Sequence, residues 1–228
     1  MEYKITSPRH AIAVLESQPE YAKIWAEIQQ ALDGISDEDI IQLHEEKFSN
    51  QKSISTALNV LIKERMEGLG WDSESPIFSS DELNFNESGR KSGVWRLDFA
   101  KESISVEVSF NHGEAIAWNL IKPVIASEVN HVKKAINTKV GVIICATQAM
   151  KESCGFDGAV GQYEKVLQYM TPLRNMLSIP IVIIGLKAPK TFDVEVILTD
   201  GRRSKKLIFK MLSFLFYPLI HIKYLDEL

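Results

Sequence analysis

The sequence is poor in the residues that build covalent and thiolate sites. It holds two cysteines in 228 residues. Cys145 lies inside the apolar run VGVIICA and Cys154 in a glycine-rich stretch, which fits neither a disulfide framework nor a zinc signature. Any metal site is therefore expected to be built from oxygen. There is no G-x-S-x-G motif and no Ser-His-Asp arrangement, which weighs against a nucleophilic serine or cysteine mechanism. The opening MEYKITSPRH lacks an apolar signal core, and no run reaches the roughly 18 uninterrupted apolar residues of a transmembrane helix. The expectation is a soluble cytoplasmic protein with no membrane contact. The closing LDEL has the form of a retention tag, meaningless without a signal peptide and read as chance. Positive charge is also outweighed, 26 Lys and Arg against 30 Asp and Glu. The net charge is −4, whereas general affinity for nucleic acid comes from neutralising phosphates with Lys and Arg. Two local clusters run against that balance, HVKKAINTK (131–139) and GRRSKK (201–206).

What is present is enough apolar residue, 45% of the chain, to bury one sizeable core, and we expect a single domain over 1–228. Residues up to about 70 have helical spacing, interrupted at Pro19 and closed by Gly68 and Gly70. Residues 72–92 are polar and read as loop. A nuclease-like core (below) is bounded at about 93–190. Within it a hairpin is followed by a helix over 113–129 that Pro123 should kink or shorten. Next come a buried strand over 139–146, a loop and helix, and a second buried strand over 179–186. Continuous apolar strands alternating with helices predict an α/β fold with its sheet covered on both faces. Residues 191–228 supply a second hairpin about Asp200-Gly201 and an apolar tail read as core or dimer surface.

The hairpin GVWRLDFAKESISVEVSF (93–110) carries the chemistry. Alternation puts Trp95, Leu97, Phe99, Ile104, Val106, Val108 and Phe110 on one face. The other face holds Arg96, Asp98, Ser105, Glu107 and Ser109. Turns at Lys101-Glu102 or Glu102-Ser103 set Asp98 opposite Ser105 or opposite Glu107. Directly paired side chains lie roughly 5 Å apart and diagonal ones roughly 7 to 8 Å. Either register makes the two carboxylates neighbours able to share a hard divalent cation. Without a functional context, two acids on a strand pair are more often a solvated face.

That context is a resemblance. The order of a helical layer, a hairpin bearing D…ExX, a helix and two buried strands is that of the PD-(D/E)XK nuclease core. More specific are ALNVLIKERMEGLGW, LDFAKESISVEVSF with nine positions from Asp98 to Glu107, MKESCGFDGAVGQYEKV and IPIVIIGLKAP. In this order they resemble type II restriction endonucleases of the BglII and BstYI kind, over roughly residues 50–190. The resemblance implies a restriction-endonuclease-like fold, a central mixed β-sheet flanked by helices. It also implies a Mg²⁺-dependent homodimer that cuts double-stranded DNA at a short palindrome, in a prokaryotic cytoplasm, with a methyltransferase acting on the same site as a candidate partner.

Carried over residue by residue, Asp98 and Glu107 match the family's acids, and the main-chain carbonyl of Val108 falls where the family offers a further metal ligand. Position 109 departs: the superfamily has Lys and the BglII kind Gln, where this chain has Ser109, whose hydroxyl can orient water but carries no charge. Glu64 matches a helix glutamate. Asn111 and His112, directly after the active strand, match positions that reach the major groove, where Asn suits adenine and His can donate to guanine. The loop 155–162, ending at Gln162, resembles a second base-contacting loop, and Lys133 and Lys134 are candidates for phosphate contact. Their bland readings are a capped helix start at Asn111, a flexible glycine turn and a solvated charge run. Two other classes stay open: a DNA-binding protein that kept the fold without catalysis, and a metal-dependent nuclease acting on another nucleic acid.

Overall fold

The computed structural model describes residues 1–79, 95–128, 132–199 and 202–210, with side chains for all of these except 196–199 and 202–205. Its centre is a six-stranded mixed sheet. Strand β1 (Tyr3–Thr6) pairs antiparallel with β6 (Ile181–Leu186), which runs parallel to β5 (Val140–Ala146) and through it to β4 (Ile104–Ser109). Antiparallel β3 (Arg96–Lys101) and β2 (Asp72–Pro76) complete the order β1-β6-β5-β4-β3-β2.

Helices α1 (Ala11–Ser17), α2 (Pro19–Asp33), α3 (Asp37–Lys47) and α4 (Ser55–Gly68) fill one face. Their boundaries follow from local chemistry. Pro19 opens α2, where a missing N–H costs nothing. Ser36 and Asp39 form a reciprocal capping box at α3. Gly70 follows α4 in the left-handed region, φ +79°. Ile24, Ile28, Leu58 and Ile62 from these helices pack against Ile104, Val106, Val142, Ile144, Val182 and Ile184 of the strands. The alternate strand residues Ile143, Cys145, Ile181 and Ile183 point the other way, against α5 (Ile116–Glu128) and α7 (Tyr163–Leu173). The sheet is thus covered on both faces, as the continuous apolar strands predict. A short α6 (Gln148–Ser153) follows β5, and β7 (Phe192–Thr199) and β8 (Arg202–Phe209) form a separate two-stranded hairpin. Its register pairs Thr199 with Arg202; the expected turn residues, Asp200 and Gly201, lie outside the described residues. Among the described residues no helix is long and apolar enough to cross a membrane.

Three expectations are corrected. The N-terminal part is not purely helical, since Tyr3–Thr6 is the β1 strand at one sheet edge. Residues 72–76, read as loop, are the strand at the opposite edge. An edge strand packs on few neighbours and tolerates polar sequence, so neither carries an apolar signature. The third concerns Pro123, expected to kink or shorten this helix: it does not shorten α5, which runs on to Glu128. Of the remaining expectations, the loop over 80–92 and the apolar tail over 211–228 lie outside the described residues.

Candidate active site

Lys101 faces Ile104 and Phe99 faces Val106, so the β3–β4 turn is Glu102-Ser103, with Glu102 at φ +48°. One step further, the same register sets Asp98 against Glu107 and not against Ser105. Side chains take over the ladder there. Asp98 Oδ2 accepts the Val108 N–H at 2.7 Å.

The polar face of this hairpin is not left to water. Glu107 and Ser109 are each 1% exposed, because α5 lies across them. Pro123 of α5 packs on Gly141 of β5 so closely that a Cβ at 141 would sit 2.8 Å from the Pro123 Cβ. Trp118 of α5 meets Trp95, just before β3, edge to face at 5.3 Å. Held this near, α5 delivers two polar side chains to the strand. Lys122, 7% exposed, forms an ion pair with Glu107 Oε2 and donates from Nζ to the Arg96 carbonyl at 3.0 Å. One turn earlier, Asn119 donates to Ser109 Oγ at 2.8 Å and to Asn111 Oδ1 at 3.3 Å.

The centre therefore sets one ammonium against two carboxylates in a desolvated place. Burial pushes the Glu107 pKa well up, and the neighbouring Asp98 charge adds to this; Lys122 and the Asp98 N–H oppose it. Burial also raises Asp98, against Lys122 and the Val108 N–H, while Glu74 of β2 adds a further repulsion. Glu107 Oε1 is buried with no hydrogen-bond partner, a costly arrangement for a carboxylate. An unpartnered oxygen beside a second carboxylate, with surplus negative charge, fits a hard divalent cation. Among the described residues no group of three or more His, Cys, Asp or Glu is arranged to hold a metal. The cysteines are no alternative. Both are buried, and burial pushes the Cys145 thiol far up and the Cys154 thiol to about 12.

A model of the family described as restriction endonuclease BglII/BglIII matches residues 3–186. The chain belongs to that family. Membership makes it a type II site-specific deoxyribonuclease, a phosphodiester hydrolase. The fold agrees. A crystal structure of the restriction endonuclease BglII complexed with a DNA 16-mer is 20% identical in sequence, with a TM-score of 0.60 over 92% of this chain and 90% of that one. A structure of free BglII is likewise 20% identical, with a TM-score of 0.52 over 92% of this chain and 94% of that one. No match is found among curated proteins.

The two segments that the BglII resemblance assigns to base contact lie together. His112 and Val160 form an antiparallel bridge, the Gly113 N–H donates to the Ala159 carbonyl at 2.7 Å, and the Gly161 N–H donates to the Asn111 carbonyl at 3.0 Å. Asn111 and His112 are exposed, and Gln162 is the half-buried residue that precedes α7. Asn111 does not cap a helix: the short turn that follows starts from His112 with no side-chain cap. Instead its Oδ1 faces Asn119 and Ser109, which ties the loop to the strand carrying Glu107. Glu64 is exposed on α4, a helix that meets the sheet at β2. Lys133 is exposed, whereas Lys134 donates to the Ala126 and Ser127 carbonyls at 2.9 and 2.8 Å and so closes the C-terminal end of α5. Sequence reading missed Lys122, Asn119 and Glu74. The first two had a visible signal, polar residues three apart within the apolar helix IAWNLIKPVIASE, a pattern that buries them together.

Proposed function

We propose that Asp98 and Glu107 are the metal-binding acids of a Mg²⁺-dependent restriction endonuclease, and that this centre hydrolyses double-stranded DNA at a short palindrome. The observation that carries the reading is Glu107 Oε1, buried and unpartnered beside Asp98. Asp98, Glu107 Oε1 and the Val108 carbonyl would hold the ion, which when bound supplies Lewis acidity and an activated water. The chain's own residues set up that site. The Val108 N–H fixes the Asp98 carboxylate, α5 keeps bulk water from Glu107, and Asn119 holds Ser109 in place. Ser109 and the exposed Glu64 are the candidates for ordering water around the nucleophile.

Recognition is assigned to the joined loops bearing Asn111, His112 and Gln162, with Lys133 on phosphate. Two copies related by a two-fold axis would present these loops to symmetric half-sites. Relatives of this kind lead us to propose a GATC-cored site, such as RGATCY or AGATCT, cut to leave 5′ overhangs. The test is plasmid cleavage with Mg²⁺, with and without EDTA, by the wild-type protein and by Glu107→Ala. Cleavage to discrete fragments that is lost with EDTA and in the variant supports the reading. DNA binding without cleavage, or a smear of products, would favour the non-catalytic or general-nuclease class.

A further inference from the structure

Position 109 of the active strand carries no charge: Ser109 is 1% exposed, and its hydroxyl bonds to Asn119 and Asn111. A lysine nonetheless stands in the centre, and it comes from the helix. Lys122 Nζ contacts Glu107 Oε2 and the carbonyl of Arg96, two residues before Asp98. It thereby spans β3 and β4 at the level of the acidic pair. Three features hold it there: the Pro123–Gly141 contact, the Trp95–Trp118 contact and the burial of its stem. A charged side chain at this depth is costly unless it serves a partner.

We propose that Lys122 is the ammonium of the active centre: it neutralises Glu107 in the metal-free protein, and it turns to the scissile phosphate when a divalent ion takes the carboxylates. An ammonium and a divalent cation repel each other across one carboxylate, so an ion on Glu107 Oε1 loosens Lys122 from Oε2. Its flexible stem and its anchor on the Arg96 carbonyl keep it beside the site. From there its charge opposes the negative charge that builds on the phosphate during attack. The chain thus supplies from α5 the charge missing at position 109. No bond is made or broken by Lys122, and no proton need leave it.

This inference rests on Asp98 and Glu107 being the metal-binding pair, so the experiment runs Lys122→Met and the milder Lys122→Gln beside Asp98→Asn. Two quantities are read on folded protein: single-turnover cleavage with Mg²⁺, and Mg²⁺ affinity of the DNA-free protein by calorimetry. Each Lys122 variant is expected to cleave on the order of 10²-fold more slowly, yet to bind Mg²⁺ at least about fivefold more tightly, because a competing positive charge has gone. A lysine that only supports the fold would slow cleavage and leave Mg²⁺ affinity unchanged or weaker, which overturns the proposal. So does cleavage within a few-fold of wild type while Asp98→Asn is inactive. Should Asp98→Asn cleave normally, the metal-site assignment itself fails and this inference fails with it.

Discussion

Asp98 Oδ2 accepts the backbone N–H of Val108 at 2.7 Å, a side chain standing where a strand carbonyl would otherwise pair. The bond locks the orientation of one acid of the centre to the strand that carries the other. It also separates two roles of the same residue, negative charge and backbone acceptor. Asp98→Asn keeps an acceptor for that N–H while Asp98→Ala leaves it without one. We expect both to lose cleavage, and Ala to be less stable than Asn by the lower part of about 1–3 kcal/mol, Val108 being half-buried. Urea unfolding of the two variants measures this difference.

For Glu107 the expected outcome is loss of chemistry with binding kept. Glu107→Ala and Glu107→Gln should cleave at background rates with Mg²⁺ and hold DNA at least as well as wild type, since negative charge near the phosphates is removed. Gel-shift titration beside a cleavage assay on the same preparations checks it. Near-normal cleavage would place the metal site elsewhere.

The raised pKa of Glu107, ordinarily 4.5, fixes the sign of a stability effect. A carboxyl that holds its proton more tightly when folded destabilises the fold as pH rises from its ordinary value through its folded-state value. Asp98, ordinarily 3.8, works in the same direction. This pair should therefore cost the metal-free protein stability as pH rises above the ordinary carboxylate values, against the opposite contributions of Asp39 and Glu164, whose pKa values are lowered. Glu107→Gln should flatten that profile, and Mg²⁺ should stabilise wild type most at the neutral end. Urea midpoints across this range, with Mg²⁺ or EDTA, decide the matter. A Glu107→Gln profile with the same pH dependence as wild type would contradict the burial argument.

The two loops assigned to recognition depend on each other through Gly161. A Cβ there would lie 2.9 Å from Ile116 and 3.2 Å from the Gly113 Cα, so Gly161→Ala should force the segments apart. We expect it, like Asn111→Ala, to weaken cognate binding tenfold or more, in line with about 1–3 kcal/mol for a bidentate base contact, while leaving non-specific binding nearly unchanged. Competition titrations with cognate and scrambled duplexes distinguish this from general weakening.

How far sequence reading could go follows from the kind of information each residue carries. The adjacency of Asp98 and Glu107 was legible because strand alternation is strict and a two-residue turn leaves two registers. The choice between those registers was not, since it rests on Glu102 adopting φ +48°, which no glycine or asparagine advertises. The buried strands β5 and β6 were legible from unbroken apolar runs, whereas the edge strands β1 and β2 have none. Lys122 escaped because its partner Glu107 lies on another element, and the approach that joins them is set by Pro123 seated on Gly141. In sequence alone, Pro123 looked like a helix breaker.

The claim that this acidic pair powers site-specific cleavage is tested most directly by digesting one DNA of known sequence with Mg²⁺ and sequencing the ends, with Glu107→Gln run in parallel. The account predicts four-base 5′ GATC overhangs at every cut made by the wild-type protein, and no cuts by the variant. Blunt ends, 3′ overhangs, an asymmetric site or an active Glu107→Gln would contradict it.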